Sequence, residues 1–262
     1  MKKITLWGWL LCPSLVLIAN CQAATSLSYE ILAERSHKAT LFTQGLLIDK
    51  GYFYESSGLY GKSQLISYPI AEPDSTWAKI ARPYTHKQDL PERFFAEGLA
   101  MHGQRLYQLT WQEKSVLVYN KDTFSYEKTL SYEGEGWGLT SDGKSLIRSD
   151  GTSTLSFHDP ESFVVTKTLA VRDGEQAVER LNELEYAQGF IWANVWYDNH
   201  LLKIDPTSGQ VVAKLDLSPI ARDLKLKDTE SVLNGMAWDE QRQAMWITGK
   251  QWPKLFLLKI HQ

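Results

Sequence analysis

Cysteine is nearly absent from this sequence of 262 residues, because its two cysteines, Cys12 and Cys21, both lie close to the amino terminus. The residues after Cys21 can therefore form no disulfide and no thiolate zinc site, and they offer no cysteine nucleophile. About 240 residues are nevertheless enough for one large hydrophobic core without such cross-links. The sequence predicts a domain that packing alone stabilises.

Several chemistries lack their usual motifs. No G-x-S-x-G, H-E-x-x-H or G-x-x-x-x-G-K-[ST] pattern occurs, and the run from Gly134 to Gly138 is only a weak imitation of a phosphate loop. A formal net charge of -3 argues against a nucleic-acid partner, which requires a basic face. We expect no cofactor and no catalytic zinc, because the histidines are scattered without metal-ligand spacing: His37, His86, His102, His158, His200 and His261.

The longest hydrophobic run, from Leu6 to Ile18, is too short for an ordinary membrane span of about 20 residues. It follows Lys2 and Lys3 and precedes small residues, which is the three-part pattern of a secretory signal. The sequence therefore predicts a cleaved signal over residues 1–23, export to the periplasm or the medium, and a single soluble domain over residues 24–262.

Cys21 allows a second interpretation of the leader, in which a lipid is attached to this residue after cleavage. Asn20 is a poor residue directly before a lipidated cysteine, so simple export is the favoured interpretation. Without such a lipid we expect no stable membrane association. Nothing in the sequence indicates an oligomer, and we expect a monomer.

Short segments rich in aromatic and β-branched residues recur along residues 24–262, and turn-forming residues separate them. This pattern is typical of strands. The segments are YFYES, QLISYPI, RLYQLTW, SVLVYN, TLSFHD, FIWANVW, HLLKIDP and AMWITGK. A helical periodicity occurs only around Glu175 to Arg180. The sequence predicts an all-β fold.

A unit of about 50 residues is repeated five times, which is typical of propeller blades. Its starts are 53, 40, 45 and 52 residues apart: Gln44-Gly45-Leu46, Glu97-Gly98-Leu99, Trp137-Gly138-Leu139, Asn182-Glu183-Leu184 and Asn234-Gly235-Met236. We predict a five-bladed β-propeller whose terminal segments share one blade. A β-sandwich or a two-sheet protein is the alternative, but it predicts no repeated start. In a propeller the first strands line the central channel, so the first residues of the five starts should converge at one end.

One carboxylate, that of Glu97, stands inside the otherwise apolar run FFAEGLA. It occupies a repeated start where the other units carry Gln, Trp or Asn. Glu97 could accept backbone N–H bonds as a structural residue. Alternatively, it could act as a general acid or base whose pKa is raised by Phe94, Phe95 and nearby tryptophans.

Ten tryptophans are present, and most lie in or beside the repeated strands. We expect packing between blades for Trp192, Trp238 and Trp246. Three others lie at or after the converging starts and could wall a pocket that excludes water: Trp111, Trp137 and Trp196. Four polar residues could bind an amide-sized substrate there or serve as turn residues: Gln44, Asn182, Asn194 and Lys250.

The sequence as a whole resembles the plant-type glutaminyl-peptide cyclotransferases, which are called glutamine cyclotransferases in bacteria. The matching stretches run in order along the chain: FTQGL (42–46), FAEGLA (95–100), LYQLTWQE (106–113), EGWGLTSDG (135–143), SDGT (149–152), LNELEY (181–186), IWANVW (191–196), IDP (204–206), NGMAWD (234–239) and TGKQWP (248–253). Together they are far more specific than any one motif.

This resemblance implies a five-bladed propeller and an enzyme that needs no catalytic zinc. Its implied activity converts the N-terminal glutamine of a peptide to pyroglutamate with release of ammonia, so the expected partners are peptides and proteins that begin with glutamine. The acid/base role falls on Glu97. The resemblance also implies substrate-binding roles for Phe42, Gln44, Phe95, Trp111, Trp137, Asn182, Trp196 and Lys250.

Two other functions stay open on the residues alone. One is a calcium-dependent propeller hydrolase of the lactonase type, although such enzymes usually have one blade more than the five units found here. Its oxygen ligands would come from Glu97, Asn182, Asn194 and Asn234. The other is a non-enzymatic propeller that binds a partner protein, in which Glu97 would have no chemical role.

Overall fold

A computed structural model describes residues 23–70 and 85–261. The predicted leader lies outside the described residues except for Ala23, so cleavage and lipid attachment at Cys21 stay predictions. No helix in the described part of the chain is long and apolar enough to cross a membrane.

Strands dominate the described residues, which confirms the all-β prediction. The strands are β1 (Thr25–Ser36), β2 (Thr43–Asp49), β3 (Tyr52–Ser57), β4 (Gln64–Pro69), β5 (His86–Asp89), β6 (Ala96–His102), β7 (Arg105–Thr110), β8 (Ser115–Asn120), β9 (Tyr126–Ser131), β10 (Leu139–Ser141), β11 (Leu146–Arg148), β12 (Thr154–His158), β13 (Val165–Ala170), β14 (Arg172–Asp173), β15 (Gln176–Ala177), β16 (Leu181–Ala187), β17 (Phe190–Val195), β18 (His200–Ile204), β19 (Val211–Asp216), β20 (Leu233–Asp239), β21 (Ala244–Gly249) and β22 (Lys254–His261). One short helix, α1 (Ser218–Asp223), lies between β19 and β20.

Consecutive strands pair in antiparallel fashion. The strands β2 to β5, β6 to β9 and β10 to β13 form three separate four-stranded sheets. An eight-stranded sheet contains two further antiparallel units, β16 to β19 and β20 to β22 with β1, which join where β1 runs parallel to β19. Residues 23–70 and 85–261 thus form five four-stranded units, and each begins within two residues of a predicted start.

The first strands of the units contact one another in succession, from β2 through β6, β10 and β16 to β20, which returns to β2. Glycines of the repeated starts permit this close approach. A Cβ on Gly45 would lie 2.5 Å from the backbone nitrogen of Leu99, and a Cβ on Gly98 or Gly138 would overlap backbone atoms of the following central strand. The packing of the central strands therefore requires glycine at these positions.

The fourth unit carries Glu183 where the other units carry glycine. Its buried carboxylate accepts hydrogen bonds from the backbone N–H groups of Leu46 in β2 (3.4 Å) and Met236 in β20 (3.1 Å). Burial raises the pKa of Glu183 well above its usual range, and the neighbouring Glu185 adds to the rise. One side chain on β16 thus connects three of the central strands.

Hydrophobic clusters fill the spaces between neighbouring units. Phe53 of the first unit packs edge to face against Trp246 of the fifth, with ring centroids 5.4 Å apart. The buried Trp192 and the partly buried Trp238 belong to the cluster between the fourth and fifth units. The expectation that these three tryptophans pack between neighbouring units is confirmed.

The helical periodicity around Glu175 to Arg180 does not correspond to a helix. The strands β14 and β15 form a small hairpin there, with Gly174 at a φ of +60° in its turn. The α-helix of the described residues is instead α1, which has Pro219 in its first turn and buries Ile220. A helix of six residues is too short to show a clear periodicity in the sequence.

The terminal segments share one unit, as predicted. The amino-terminal strand β1 pairs with β22, the last strand, from Ser28 opposite His261 to Ser36 opposite Lys254. The backbone N–H of the next residue, His37, donates to the carbonyl of Pro253 (2.8 Å).

A buried ion pair between His37 and Glu55 lies next to the paired strands β1 and β22. In it, Nε2 of His37 lies 3.1 Å from Oε2 of Glu55, and Nδ1 of His37 bonds the carbonyl of Trp252 (2.8 Å). The hydroxyls of Thr43 and Tyr68 also donate to Glu55, each at 2.7 Å. Burial alone opposes both charges, but the attraction within the pair prevails, so the pKa of His37 is raised and the pKa of Glu55 is lowered.

We expect His37→Ala to lower the free energy of unfolding by about 3–5 kcal/mol, because it leaves the carboxylate of Glu55 buried without a cation. Urea unfolding near neutral pH measures the loss. The matched control is His200→Ala, since His200 pairs with Asp198 at the surface and its removal should cost less than about 1 kcal/mol. Equal losses in the two variants would contradict this role of the buried pair.

Candidate active site

A single pocket of about 250 Å³ gathers all nine residues that the resemblance assigns to the site. Its lining consists of Phe42, Gln44, Leu59, Phe95, Glu97, Trp111, Trp137, Asn182, Trp196, Glu230 and Lys250. Of these, Leu59 and Glu230 were not predicted. The pocket is small for a ligand site, since drug-sized ligands occupy about 300–1,000 Å³.

The repeat explains why residues so distant in sequence meet here. Gln44, Glu97 and Asn182 lie at the starts of the central strands β2, β6 and β16, and Trp137 lies two residues before β10. Other lining residues directly follow the second strands of their units, where an antiparallel chain returns to the same edge: Trp111, Trp196 and Lys250. The predicted convergence is confirmed for these four starts. The fifth, Asn234, lies behind the pocket wall and contacts Gln44.

A chain of hydrogen bonds orients Gln44 toward Glu97. The carbonyl of Thr43 accepts from Nδ2 of Asn234 (2.8 Å), which also donates to Oε1 of Gln44 (3.2 Å). Because this contact fixes the amide oxygen of Gln44, its Nε2 donates to Oε1 of Glu97 (2.8 Å). Among the described residues, Oε2 of Glu97 has no hydrogen-bond partner, so this oxygen is available to a ligand.

Glu97 is 6% exposed, and its surroundings favour the neutral carboxyl. Burial raises its pKa well above the usual range, against the opposing charge of Lys250, and the charges of Glu135 and Glu113 add to the rise. The same environment lowers the pKa of Lys250, chiefly through burial, although Glu97 and Glu230 oppose the shift. The site therefore contains a carboxyl group whose raised pKa favours a role in general acid/base catalysis.

Aromatic rings form the walls of the pocket. On one side the ring of Phe95 meets those of Phe42 (centroids 6.1 Å apart) and Trp111 (5.7 Å), both edge to face. On the other side Trp137 and Trp196 meet at 5.5 Å and 90°. The ammonium group of Lys250 lies 4.9 Å from the centre of the Phe42 ring, within the range of a cation–π contact.

Glu135 fixes one ring from each wall, a role that the sequence did not indicate. Its Oε2 accepts the indole N–H of Trp111 (2.8 Å) and that of Trp137 (2.9 Å). Burial alone would raise the pKa of Glu135, but these donors and Gln112 lower it, so the carboxylate stays charged. From the sequence, the glycine-rich run Gly134–Gly138 that contains Glu135 resembled only a weak phosphate loop.

Polar groups in the wall remain available to a ligand. The side-chain amide of Asn182 makes no hydrogen bond to another described residue, while its backbone carbonyl accepts from Ser149 (2.6 Å). The buried indole N–H of Trp196 likewise finds no acceptor in the described part of the chain. Asn194, the fourth polar candidate, does not line the pocket and bonds the backbone N–H of Gly235 instead (3.4 Å).

Comparisons with known proteins identify the family of this chain. The family model for glutamine cyclotransferase matches residues 8–260. A glutaminyl-peptide cyclotransferase of Arabidopsis thaliana is 39% identical over 238 residues, which cover 89% of this chain and 71% of that protein. The crystal structure of Myxococcus xanthus glutaminyl cyclase matches with a TM-score of 0.81 at 36% identity, over 90% of this chain and 98% of that one. By these matches, the chain belongs to the glutamine cyclotransferase family.

Proposed function

We propose that the protein converts the N-terminal glutamine of peptides to pyroglutamate, with Glu97 as the general acid and base. The observation that carries this proposal is the position of Glu97, which is buried in an aromatic pocket of a size suited to one residue, with one oxygen bonded to Gln44 and the other available. The likeness to the Arabidopsis glutaminyl-peptide cyclotransferase supports the same activity.

We propose, further, that the five units are the blades of a five-bladed β-propeller. The succession of contacts between the central strands and the sharing of one unit by both chain termini support this architecture. The same proposal treats residues 24–262 as one catalytic domain and residues 1–23 as an export signal, on the strength of the amino-terminal sequence pattern.

In the proposed reaction, the α-amine of glutamine attacks the γ-carbonyl carbon of its own side chain. A new C–N bond forms, the bond to the side-chain nitrogen breaks, and that nitrogen leaves as ammonia. Oε2 of Glu97 takes a proton from the attacking amine and returns it to the leaving nitrogen, so no other proton donor is required. Transfer of this kind typically contributes about 10²- to 10⁴-fold to the rate.

The oxygen of the γ-carbonyl gains negative charge during the attack and needs donors. Nε2 of Gln44 already donates to Glu97, which makes Gln44 a poorer candidate for this oxygen. Asn182 has an unbonded amide in the pocket wall, and Lys250 brings a positive charge. We assign the oxygen to Asn182 and Lys250, while the aromatic walls hold the curled glutamine and exclude water.

We expect Glu97→Gln to reduce kcat at least about 100-fold, because the amide keeps the shape of the side chain but cannot exchange a proton. Mass loss of ammonia from a short peptide that begins with glutamine measures the rate. The matched control is Glu185→Gln, since Glu185 is a half-buried carboxyl whose pKa is raised to about 8 but which lies outside the pocket. Near-normal activity of the Glu97 variant would reject the mechanism.

The pH profile should contain a limb that belongs to Glu97. We expect kcat/KM to fall as pH drops through the raised pKa of Glu97, well above pH 4.5, because the carboxylate must be ionised to take the proton. Lys250→Met should move this limb to higher pH, since the charge that opposes the raised pKa is lost. The substrate amine must be neutral to attack, so it contributes a limb of its own. A peptide with a different amine pKa moves that limb and leaves the Glu97 limb in place. A limb near pH 4.5 would contradict the proposal.

Glu135 offers a second test, because it shifts the pKa of Glu97 in the direction opposite to Lys250. Glu135→Gln keeps an oxygen for the two indole N–H groups but removes a negative charge, so it should move the Glu97 limb to lower pH. Glu135→Leu also releases both rings, and we expect a several-fold higher KM together with altered tryptophan fluorescence. Identical behaviour of the two variants would show that hydrogen bonding by Glu135 does not position the walls.

A further inference from the structure

Two exposed tyrosines stand at the outer ends of the aromatic walls. Tyr60 is 48% exposed and contacts Phe95 edge to face, with centroids 5.3 Å apart. Tyr197 is 47% exposed and stacks on Trp196 at 4.5 Å with an interplanar angle of 30°. The walls therefore continue from the pocket to its mouth, where large aromatic surfaces meet solvent. Exposed apolar surface of this kind often marks a binding site.

Each of these tyrosines donates its hydroxyl to a carboxylate. Tyr60 bonds Glu113 (2.7 Å), and Tyr197 forms a short hydrogen bond with Glu230. The third carboxylate of this region, Glu135, is bonded by indole and amide groups. All of these donors are neutral, so they orient the carboxylates without cancelling their negative charge. Lys250 is the one cation of the pocket lining and interacts with Glu230, but against three carboxylates it leaves the mouth with a net negative charge, which favours a cationic ligand.

The size of the pocket leaves the rest of the substrate outside. A space of about 250 Å³ is suited to one glutaminyl residue and not to a longer peptide. The residue that follows the glutamine must therefore cross the mouth. Of the three mouth carboxylates just described, only Glu230 also lines the pocket that contains Glu97. The second residue of the peptide therefore passes close to Glu230.

We infer that Glu230 and Tyr197 form a second subsite, which takes the residue after the N-terminal glutamine and favours a lysine or arginine there. This inference rests on the proposed function and specifies its substrate class. The carboxylate of Glu230 attracts the cation, and the face of the Tyr197 ring accepts it by a cation–π contact. An aspartate or glutamate at the same position is repelled by Glu230.

The backbone holds this subsite in place. The N–H of Glu230 donates to the side chain of Asp228 (2.9 Å), and the carbonyl of Glu230 accepts from the N–H of Val232 (2.8 Å). Tyr197 has a φ of +65°, a conformation that bulky residues rarely adopt. Its ring is thereby directed from the end of β17 to the mouth, against Trp196. The subsite is therefore largely preformed.

The test compares three peptide amides, Gln-Lys-Ala-Ala, Gln-Ala-Ala-Ala and Gln-Glu-Ala-Ala, by kcat/KM for ammonia release at low ionic strength. We expect the lysine peptide to exceed the glutamate peptide by about tenfold, since each charged contact at a partly exposed site changes binding by up to about fivefold. Glu230→Gln should reduce this ratio at least about threefold, and Glu230→Lys should invert the preference. Added salt should shrink the wild-type ratio.

The matched control is Glu240→Gln, because Glu240 is an exposed carboxylate that accepts an indole N–H from Trp238 (2.7 Å) but lies outside the pocket. It should leave the ratio unchanged. A wild-type ratio near one, or the same ratio in wild type and Glu230→Gln, would overturn the subsite while leaving the proposed reaction intact. Failure of all three peptides to lose ammonia with the wild-type protein would instead reject the proposed function, and with it the subsite.

Discussion

The close approach of the central strands is the constraint on which the rest of the structure depends. Strands can meet at this distance only where no side chain separates their backbones, and glycine supplies that condition in the units that begin at Gln44, Glu97 and Trp137. The residue directly before each glycine is then placed at the same end of the central strands. The requirement for glycine therefore both packs the central strands and brings Gln44, Glu97 and Trp137 together in the pocket.

Two buried glutamates of neighbouring units show how environment decides what a carboxyl group can do. Glu55 is bonded by a histidine and two hydroxyls, and its pKa is lowered. Glu97 has one amide donor and aromatic neighbours, and its pKa is raised. Burial is complete or nearly so for both, so the difference comes from the partners. The first group stabilises the closure of the chain, whereas the second costs stability and can exchange a proton.

The sequence revealed those parts of the protein that repeat. The strand segments, the five starts and the convergence of Gln44, Glu97 and Asn182 could be predicted, because each recurs at a fixed place in its unit. Phe42 was found through the family resemblance, whereas Lys250 was already a candidate as a polar residue beside a strand. Glu230 and Glu135 were missed because they lie in connecting segments outside the repeat, where their roles depend on contacts with distant residues. The short helix α1 was not predicted because its six residues are too few to show a helical periodicity.

Glu183 shows why the units cannot be identical. At this position the other starts have glycine, which offers no acceptor, and the backbone N–H groups of Leu46 and Met236 both bond the Glu183 carboxylate. An idealised protein made from five copies of one consensus unit would satisfy the steric condition everywhere and leave these two buried donors without a partner, which is costly. The sequence divergence of the fourth unit therefore satisfies two buried donors, on β2 and on β20, and designers of symmetric versions would have to supply another acceptor between these central strands.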